Sequence, residues 1–356
     1  QATLRADGSS RLSEENRWKY FPGFSAGWRL IEEDFIPQSK LLDELKLRVS
    51  YGSVGSTSIP PYETQGRLAR RVYSWDETSA FGFGLSDIPN TDLTWEVSTT
   101  TDAGLDFGFF GGKILGSFDW YQTNTTDILL ERVIPLTSGY TSVLQNIGET
   151  KNTGVELSLT ARIIDKQDGF KWNANFNISR NREEIVELAL KDSVGNSIDD
   201  VGNEWFIGEP INVYFDYKKA GIYQANEVDE AATLENKVPG EIKLTDANGD
   251  GLITPDDRVV LGSTVPDFYG GLTNRFEFKG IDLSFFLYFK VGHMIQSNIH
   301  NGYNQLQGRY NNLDVDYWTV FNPTNEAPRP NENQTFAKNG STMTYFDGSF
   351  LKLRNV

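Results

Sequence analysis

The chain has 356 residues and a formal net charge of -16, with 33 Lys and Arg residues against 49 Asp and Glu residues. This balance argues against nucleic acid as a partner, because no basic excess is available to neutralise phosphates. Cysteine is absent and only two histidines are present, which excludes disulfide scaffolds, thiol nucleophiles and Cys/His zinc sites. No apolar run is long enough for a transmembrane helix.

Apolar and polar residues alternate with a period of two in separate runs that recur along the chain. In residues 170–178, Phe170 and Trp172 share one parity, while Lys171 and Asn173 share the other. This period is typical of β-strands that have one apolar and one polar face. The sequence therefore predicts an all-β fold with about ten strands. In chain order they occupy residues 2–6, 24–30, 45–51, 103–109, 114–120, 155–163, 170–178, 268–278, 281–289 and 350–356.

The predicted connections sort by length. Residues 111–112 and 279–280 are two-residue hairpin turns, whereas residues 183–267 and 293–348 are long loops. In an up-and-down meander, successive connections lie at opposite ends of the sheet, so one end holds the short turns and the other holds the long loops. This sorting is typical of outer-membrane barrels, whose long loops are extracellular. A soluble β-sandwich has the same alternation, but we do not expect it to sort its loops by end.

Charged residues within the predicted strands keep to one parity. The apolar parity carries no charge in these runs, and Asn274 is its one clearly polar member. A Lys or Arg on the lipid face of a barrel costs about 2–4 kcal/mol at the bilayer midplane, so this segregation favours a transmembrane barrel. The charged residues of the opposite parity include Arg5, Asp7, Arg29, Lys46, Arg48, Asp102, Asp106, Asp119, Glu156, Arg162, Arg275 and Glu277.

The predicted inward-facing residues are too small and too polar to fill a narrow barrel. A barrel of eight to ten strands would be filled by its own side chains. We therefore expect a wider barrel, in which these 356 residues are part of a longer polypeptide, because alternation is already under way at Ala2 and continues to Val356. The small or polar inward residues include Gly23, Ser25, Gly27, Gly104, Gly108, Gly154, Ser158 and Asn175.

Several short strings, from LRADGSSR at residues 4–11 to FLKLRNV at residues 350–356, together resemble the central barrel of the SusC/RagA family of TonB-dependent outer-membrane transporters. Each string is weak alone, but together they occur in one order from the beginning of the chain to its end. The strings are LRADGSSR at residues 4–11, WKYFP at 18–22, AGWR at 26–29, LKLRVSYG at 45–52, LTWE at 93–96, GLDFG at 104–108, NTGVEL at 152–157 and FLKLRNV at 350–356.

The resemblance implies part of a plugged barrel of about twenty-two strands in the bacterial outer membrane. It also implies a SusD-like lipoprotein lid and energy from the TonB complex. The TonB-contacting segment, the plug domain and the closing strands of the family pattern are not recognisable here. The expected function is import of a bulky nutrient, an oligosaccharide or alternatively a peptide. The other hypothesis is a soluble or surface-attached carbohydrate-binding β-domain with a structural calcium ion.

An Asp-rich segment at residues 246–257 has the spacing of a calcium-binding loop. Positions 1, 3 and 5 are Asp246, Asn248 and Asp250, a glycine follows at position 6, and Leu252 offers its carbonyl oxygen at position 7. Position 12 is Asp257, which is shorter than the usual Glu and favours weaker binding. The motif predicts a structural Ca²⁺ ion that orders the long loop. The alternative is an Asp/Asn/Gly turn held by its own hydrogen bonds.

Aromatic residues in the predicted long connections are candidates for contact with cargo or with the lid. Flat apolar rings beside amides and carboxylates suit sugars and peptides alike, although most such rings pack against other protein. The candidates are Tyr73, Trp75, Trp205, Tyr303, Tyr310 and Trp318, with Tyr317 beside the last of them.

No group of residues in the sequence indicates catalysis. Adjacent acids such as Glu183 and Glu184 do not specify the spacing across a cleft that a glycosidase needs, and we interpret them as solvated charges. His293 and His300 are interpreted as loop residues rather than metal ligands. We therefore do not expect an enzyme.

Overall fold

The structure is a computed structural model that describes residues 1–37, 39, 41–167, 169–304, 306, 311–333 and 339–356. The chain forms two compact units. Unit 1 comprises Gln1–Ile211, Phe268–Phe289 and Leu351–Val356, and unit 2 comprises Asn212–Asp267 and Lys290–Phe350.

The described residues contain eighteen strands and two short α-helices. The strands are β1 Ala2–Gly8, β2 Trp18–Trp28, β3 Leu42–Ser56, β4 Leu68–Trp75, β5 Thr78–Leu85, β6 Glu96–Phe109, β7 Ile114–Val133, β8 Ser142–Asp165, β9 Lys171–Glu187, β10 Val213–Tyr217, β11 Lys219–Ile222, β12 Ile242–Leu244, β13 Arg258–Ser263, β14 Phe268–Phe278, β15 Ile281–Val291, β16 Met294–Gln296, β17 Tyr345–Asp347 and β18 Phe350–Asn355. The helices are α1 Val228–Glu235 and α2 Asn298–Tyr303. Five 3-10 turns cover Leu30–Glu32, Glu63–Gln65, Leu136–Ser138, Pro255–Asp257 and Gly340–Met343. Neither α-helix is long and apolar enough to cross a membrane.

Ten strands form one open sheet, in the order β1-β2-β3-β6-β7-β8-β9-β14-β15-β18. Each of the ten overlaps one of the strands predicted from the sequence, so the all-β prediction is confirmed. Neighbours in the sheet follow the chain order, and pairs such as β7 with β8 are antiparallel. This is the up-and-down arrangement that the alternating connections predicted.

The two predicted hairpin turns differ in outcome. Lys279 and Gly280 join β14 to β15 as a two-residue turn, and both have positive φ, which matches the twist of the flanking strands. The turn between β6 and β7 has four residues rather than two, because Phe109 pairs with Ile114. Phe110 shares the left-handed conformation of the two glycines that follow it.

The central strands are much longer than predicted. β7 has 20 residues and β8 has 24, and the register between them shifts at Thr125, where a β-bulge interrupts the ladder. A strand needs only about ten residues to cross the hydrocarbon core. The β7–β8 ribbon therefore extends well past that span on the side of the long connections.

The connection between β3 and β6 contains structure that the alternation did not predict. β4 and β5 form a separate two-stranded hairpin, paired from Leu68↔Leu85 to Trp75↔Thr78. The same connection contributes to a small core that lies where the loops meet the sheet. This core consists of Leu12, Phe21, Ile59, Leu93 and Trp95.

Unit 2 is built from the two long connections. The segment after β9 was predicted to begin at residue 183, but β9 continues to Glu187. Three two-stranded sheets pair β10 with β13, β11 with β12, and β16 with β17. Their core is formed by Ile222, Ile242, Leu244, Leu306, Trp318, Ala327 and Met343. Each long loop is therefore partly folded rather than irregular throughout.

Candidate functional site

The polar face of the ten-stranded sheet carries an ion network in its middle. Arg48 on β3 donates from Nη2 to Asp106 on β6 at 2.9 Å and to Asp119 on β7 at 2.6 Å. Its Nε also donates to Asp106 at 2.9 Å, so this pair is bidentate. The three side chains are only partly exposed, which strengthens the pairing relative to open solvent. The charges predicted to share one face therefore contact one another.

Gly104 makes room for this network. It lies between Arg48 and Asp119 in the register of the sheet. A Cβ atom at this position would lie 2.3 Å from Asp119 Oδ1 and 2.7 Å from Arg48 Cζ. Any other residue would have to displace one of the two charged groups. The small inward residues predicted from the sequence thus leave space for long charged side chains.

A second polar contact on this face was not identified from the sequence. The ring of Tyr121 covers Gly154, whose Cβ would lie 2.2 Å from Tyr121 Cζ, and the hydroxyl donates to Asn181 Oδ1 at 3.1 Å. The signal was present as a glycine on the strand next to the tyrosine, but the register that joins them is not readable from the sequence.

The opposite, apolar face exposes large hydrophobic side chains along its length. Leu4 is 71% exposed and Ile281 is 73% exposed, whereas side chains of this type are usually buried in a protein that is surrounded by water. β2 places Trp18 and Tyr20 near one end of this face and Trp28 at the other. Aromatic residues at both borders of an apolar band are the arrangement found in membrane barrels.

Asn274, the one clearly polar member of the predicted apolar parity, is buried and satisfied. Its side chain is 7% exposed, and its Oδ1 accepts a hydrogen bond from Trp172 Nε1 at 2.9 Å. The ring of Trp172 also stacks on Phe276 at 5.6 Å between centroids. Asn274 therefore interrupts the apolar pattern without placing an unpaired amide on the surface.

The Asp-rich segment in unit 2 forms a compact turn held by its own side chains. Asp246 accepts from the N–H groups of Gly249 and Gly251 at 2.7 and 2.9 Å. Asp257 is fully buried and accepts from the N–H groups of Thr254 and Ala247 at 2.7 and 2.9 Å. These bonds, led by the one from Thr254, hold the pKa of Asp257 below its usual value. This is the hydrogen-bonded turn that the sequence left open as an alternative to calcium.

The same segment places several oxygen ligands near one another. Asp257 accepts from the N–H of Ala247, the residue next to Asp246, and Asp250 accepts from the N–H of Leu252 at 2.9 Å. Several oxygen ligands around one point suit a hard cation. Across the described residues, however, no group of three or more acidic, His or Cys side chains is arranged to hold a metal. Carboxylate oxygens are suitable ligands for calcium, but in this turn they already accept hydrogen bonds from backbone N–H groups.

The aromatic candidates fall into different environments. Tyr73, Trp75 and Tyr303 are more than half exposed, and the first two meet edge to face at 6.4 Å. Trp205 is partly buried and lines a small apolar cavity of about 40 Å³ in unit 1. Tyr310 lies outside the described residues.

Trp318 is not a surface residue. It is 6% exposed within the core of unit 2, and its Nε1 donates to Gln224 Oε1 at 2.9 Å. Its indole therefore packs the loop against itself, which was the alternative considered for these aromatics. Tyr317, the preceding residue, is 44% exposed.

The adjacent acids and the second histidine have ordinary local partners. Glu184 pairs with Lys151, and Glu32 pairs with Arg29 at 2.8 Å. His300 Nδ1 lies 2.7 Å from Ser297 Oγ at the start of α2. The acids are surface charges, as interpreted from the sequence, whereas His300 lies within the short helix α2 rather than in a loop.

His293 is buried, which the sequence did not predict. It is 7% exposed, packs edge to face against Phe350 at 6.2 Å, and its Nδ1 has no hydrogen-bond partner among the described residues. Burial lowers the pKa of His293, Lys290 lowers it further, and Asp347 opposes both. The folded state therefore keeps this imidazole neutral.

Acidification should loosen the segment around His293. Because the folded-state pKa is depressed, the unfolded segment binds protons first, so stability falls as the pH drops below about 6.5 and levels off below the folded pKa. We expect faster amide exchange in residues 290–297 at acidic pH, after correction for intrinsic rates. His293→Phe, which keeps an aromatic ring but cannot titrate, should remove the dependence. An equal pH dependence in that variant would contradict this assignment.

Known proteins resemble this chain over nearly its whole length. A family profile described as TonB-dependent receptor-like β-barrel matches residues 1–206. TonB-dependent receptor P26 of Formosa agariphila is 32% identical over 99% of this chain and 36% of its own length. TonB-dependent receptor SusC of Bacteroides thetaiotaomicron is 35% identical over 80% of this chain and 29% of its own length.

A solved structure of a similar protein has a similar fold. A chain in the structure of the RagAB peptide transporter superposes with a TM-score of 0.79 and 27% identity, covering 99% of this chain and 38% of that one. The chain thus spans a little over a third of the length of the P26 and RagAB chains that it matches.

Proposed function

We propose that this chain forms part of the barrel wall of a nutrient importer. The chain belongs to the SusC/RagA family of TonB-dependent receptors, whose members are outer-membrane β-barrel proteins. Its relatives are named as receptors and transporters rather than enzymes. The soluble binding-domain hypothesis is not retained, because the family is an outer-membrane one.

The observation that carries this proposal is the division of the ten-stranded sheet into two faces. The apolar face exposes side chains such as Leu4 and Ile281, which lipid would cover. The polar face holds Arg48, Asp106 and Asp119 in one network, which needs a hydrated lumen. A wall with these two faces separates lipid from an aqueous path for cargo.

The proposed cargo is a bulky oligosaccharide, and peptide is the second candidate. The exposed rings of Tyr73, Trp75 and Tyr303 favour flat, partly apolar molecules, and sugars and peptides both meet that description. RagAB is named as a peptide transporter, which supports the second candidate. The proposed partners are a SusD-like lipoprotein that closes over the outer mouth and the TonB complex, which would act through segments outside these 356 residues.

Uptake by the full-length receptor tests the proposal. A strain that lacks the receptor gene should lose growth on one class of polymer, either oligosaccharides or peptides, and should keep growth on the monomers. Loss of TonB should give the same phenotype, and plasmid-borne receptor should restore growth. Unchanged growth of the deletion strain on every polymer of both classes would refute import.

We also propose that residues 246–257 bind a structural Ca²⁺ ion through Asp246, Asn248, Asp250, the Leu252 carbonyl and Asp257. The spacing of Asp246, Asn248 and Asp250 supports this, together with Asp257, which accepts from the N–H of Ala247 beside Asp246, because several oxygen ligands around one point suit a hard cation. Binding would require the carboxylates to exchange N–H donors for the ion.

Chelation should then raise amide exchange in residues 240–262 of the full-length receptor. A bound ion would hold the loop in one conformation. Without the ion, the loop would gain conformational entropy by becoming mobile. The turn at residues 192–196, where Asp192 accepts from the N–H groups of Val194 and Asn196, is a matched control without the calcium spacing. Asp246→Asn should reproduce the effect of the chelator. Unchanged protection in residues 240–262 would reject calcium.

A further inference from the structure

A tight turn in unit 2 presents two apolar side chains to solvent. Val320 and Phe321 occupy its tip, and they are 66% and 98% exposed. Thr319 and Asn322 close the turn through reciprocal backbone hydrogen bonds of 3.1 and 3.0 Å. A phenylalanine this exposed contacts almost nothing in the described part of the chain.

The turn is held rigidly at its base. The Asn322 side chain donates to Asp316 Oδ1 at 2.7 Å and to the Tyr317 carbonyl oxygen at 2.9 Å. Trp318, directly before the turn, is fixed in the core of unit 2. Phe321 is therefore displayed on a pre-organised support. A partner that binds it would lose little conformational entropy in doing so.

The surroundings of Phe321 are acidic. Asp314, Asp316 and Glu326 are exposed near the turn in sequence. Hydrogen bonds from Thr324 and then Asn322 hold the pKa of Asp316 below its usual value, so it is ionised at neutral pH. Lys219 donates to the Glu326 carbonyl oxygen; burial lowers the pKa of this lysine and the Glu326 carboxylate opposes the shift. The charge of Glu326 is therefore partly compensated, and Asp314 and Asp316 supply the net negative charge. The exposed charge around the turn is negative.

This combination selects the kind of partner. An anionic lipid surface would be repelled by Asp314 and Asp316. A flexible nutrient chain has no preformed pocket to enclose an aromatic side chain. A folded protein with an apolar pocket and a basic rim matches both features, and aromatic side chains seated in such pockets dominate the affinity of protein interfaces.

We propose that the Val320–Phe321 turn is a docking element that inserts Phe321 into an apolar, basic-rimmed pocket on the SusD-like lipoprotein. This inference rests on the proposed function, which supplies the lipoprotein. It assigns a specific contact to a turn that was not among the candidates selected from the sequence.

The test measures binding of the full-length receptor in detergent to the lipoprotein purified without its lipid anchor. Phe321→Ser should weaken the complex by about thirtyfold, as expected for a central aromatic anchor. Val194→Ser is the matched control, because Val194 is 83% exposed on another turn, and it should change affinity by less than about twofold. Asp314→Lys should slow association and reduce its dependence on salt.

Each outcome decides the proposal. Weakening by Phe321→Ser, with Val194→Ser near wild type, supports it. Wild-type affinity of Phe321→Ser overturns the docking element but leaves the importer assignment intact, because the lipoprotein still binds. Absence of any complex with the wild-type receptor overturns the proposed partner and the docking element together. If Phe321→Ser lowers the melting temperature of the isolated receptor but does not weaken binding, then the receptor's own chain covers the ring. That result overturns docking.

Discussion

Replacing Phe118 with arginine should block assembly of the receptor in the outer membrane. Phe118 lies on the apolar face of β7, paired with Leu105 on β6 and Leu157 on β8, so every cross-strand neighbour is apolar. An arginine near the bilayer midplane costs about 2–4 kcal/mol, which is a large part of the marginal stability of a folded protein. The folded fraction can be followed by heat-modifiable electrophoretic migration of the full-length receptor from isolated outer membranes.

The neighbouring residue provides the control. Ser117 lies on the polar face of β7, where it pairs with Asp106 and Ser158. Ser117→Arg adds the same charge one residue away and should assemble normally, since water and a carboxylate are available there. If the two variants assembled equally well, the assignment of the two faces to lipid and lumen would be wrong.

Replacing Lys237 with methionine should unfold much of unit 2. The Lys237 side chain is fully buried and pairs with Glu235, which is 3% exposed. Tyr223 and the backbone N–H of Leu244 also donate to Glu235, at 2.9 and 3.1 Å. Removing one partner of a buried pair leaves an uncompensated charge and costs about 3–5 kcal/mol. Amide exchange in β11 and β12 reports this loss directly.

Two further variants separate the buried charge from lost packing. Glu235→Gln combined with Lys237→Met should recover part of the stability, because no lone charge remains. Lys243 pairs with Glu227 and Glu230 near the surface, so Lys243→Met should cost less than about 1 kcal/mol. A Lys237→Met protein that exchanged like wild type would show that this pair does not support the unit.

The ten strands of the main sheet could be predicted because each face meets a different medium. Lipid on one side and water on the other impose strict alternation, as in β9, where Trp172 and Phe176 oppose Asn173 and Asn175. The same alternation fixed which residues share a face, and the contacts of Arg48 confirm it.

Strand lengths could not be predicted where both faces are polar. Residues 122–126 of β7 contain no apolar side chain, so the alternation disappears although the strand continues. The ladder is maintained there by hydroxyl pairs, such as Thr100 with Thr123 at 2.8 Å and Ser98 with Thr125 at 2.9 Å. Such pairs depend on cross-strand register, which a single sequence does not display.

The folding of the long connections was missed for a related reason. β10 pairs with β13 and β16 pairs with β17 across wide separations in sequence, and each of these strands is too short to show a period. Burial of His293 accompanies the pairing of β16 with β17, and Trp318 is buried against Ile222 of β11 and Ile242 of β12. The Asp-rich segment, by contrast, is local, so its turn was predictable, whereas the presence of an ion remains a prediction.

The aromatic borders of β2 set a length as well as a polarity. From Trp18 to Trp28 the strand has 11 residues. At about 3.3 Å per residue and a tilt of about 40°, it spans roughly 25 Å along the membrane normal. Bilayers of longer acyl chains would be mismatched and would have to thin around the protein. Reconstitution in lipids of graded chain length should therefore give an optimum at short chains, which sets the choice of lipid for functional work.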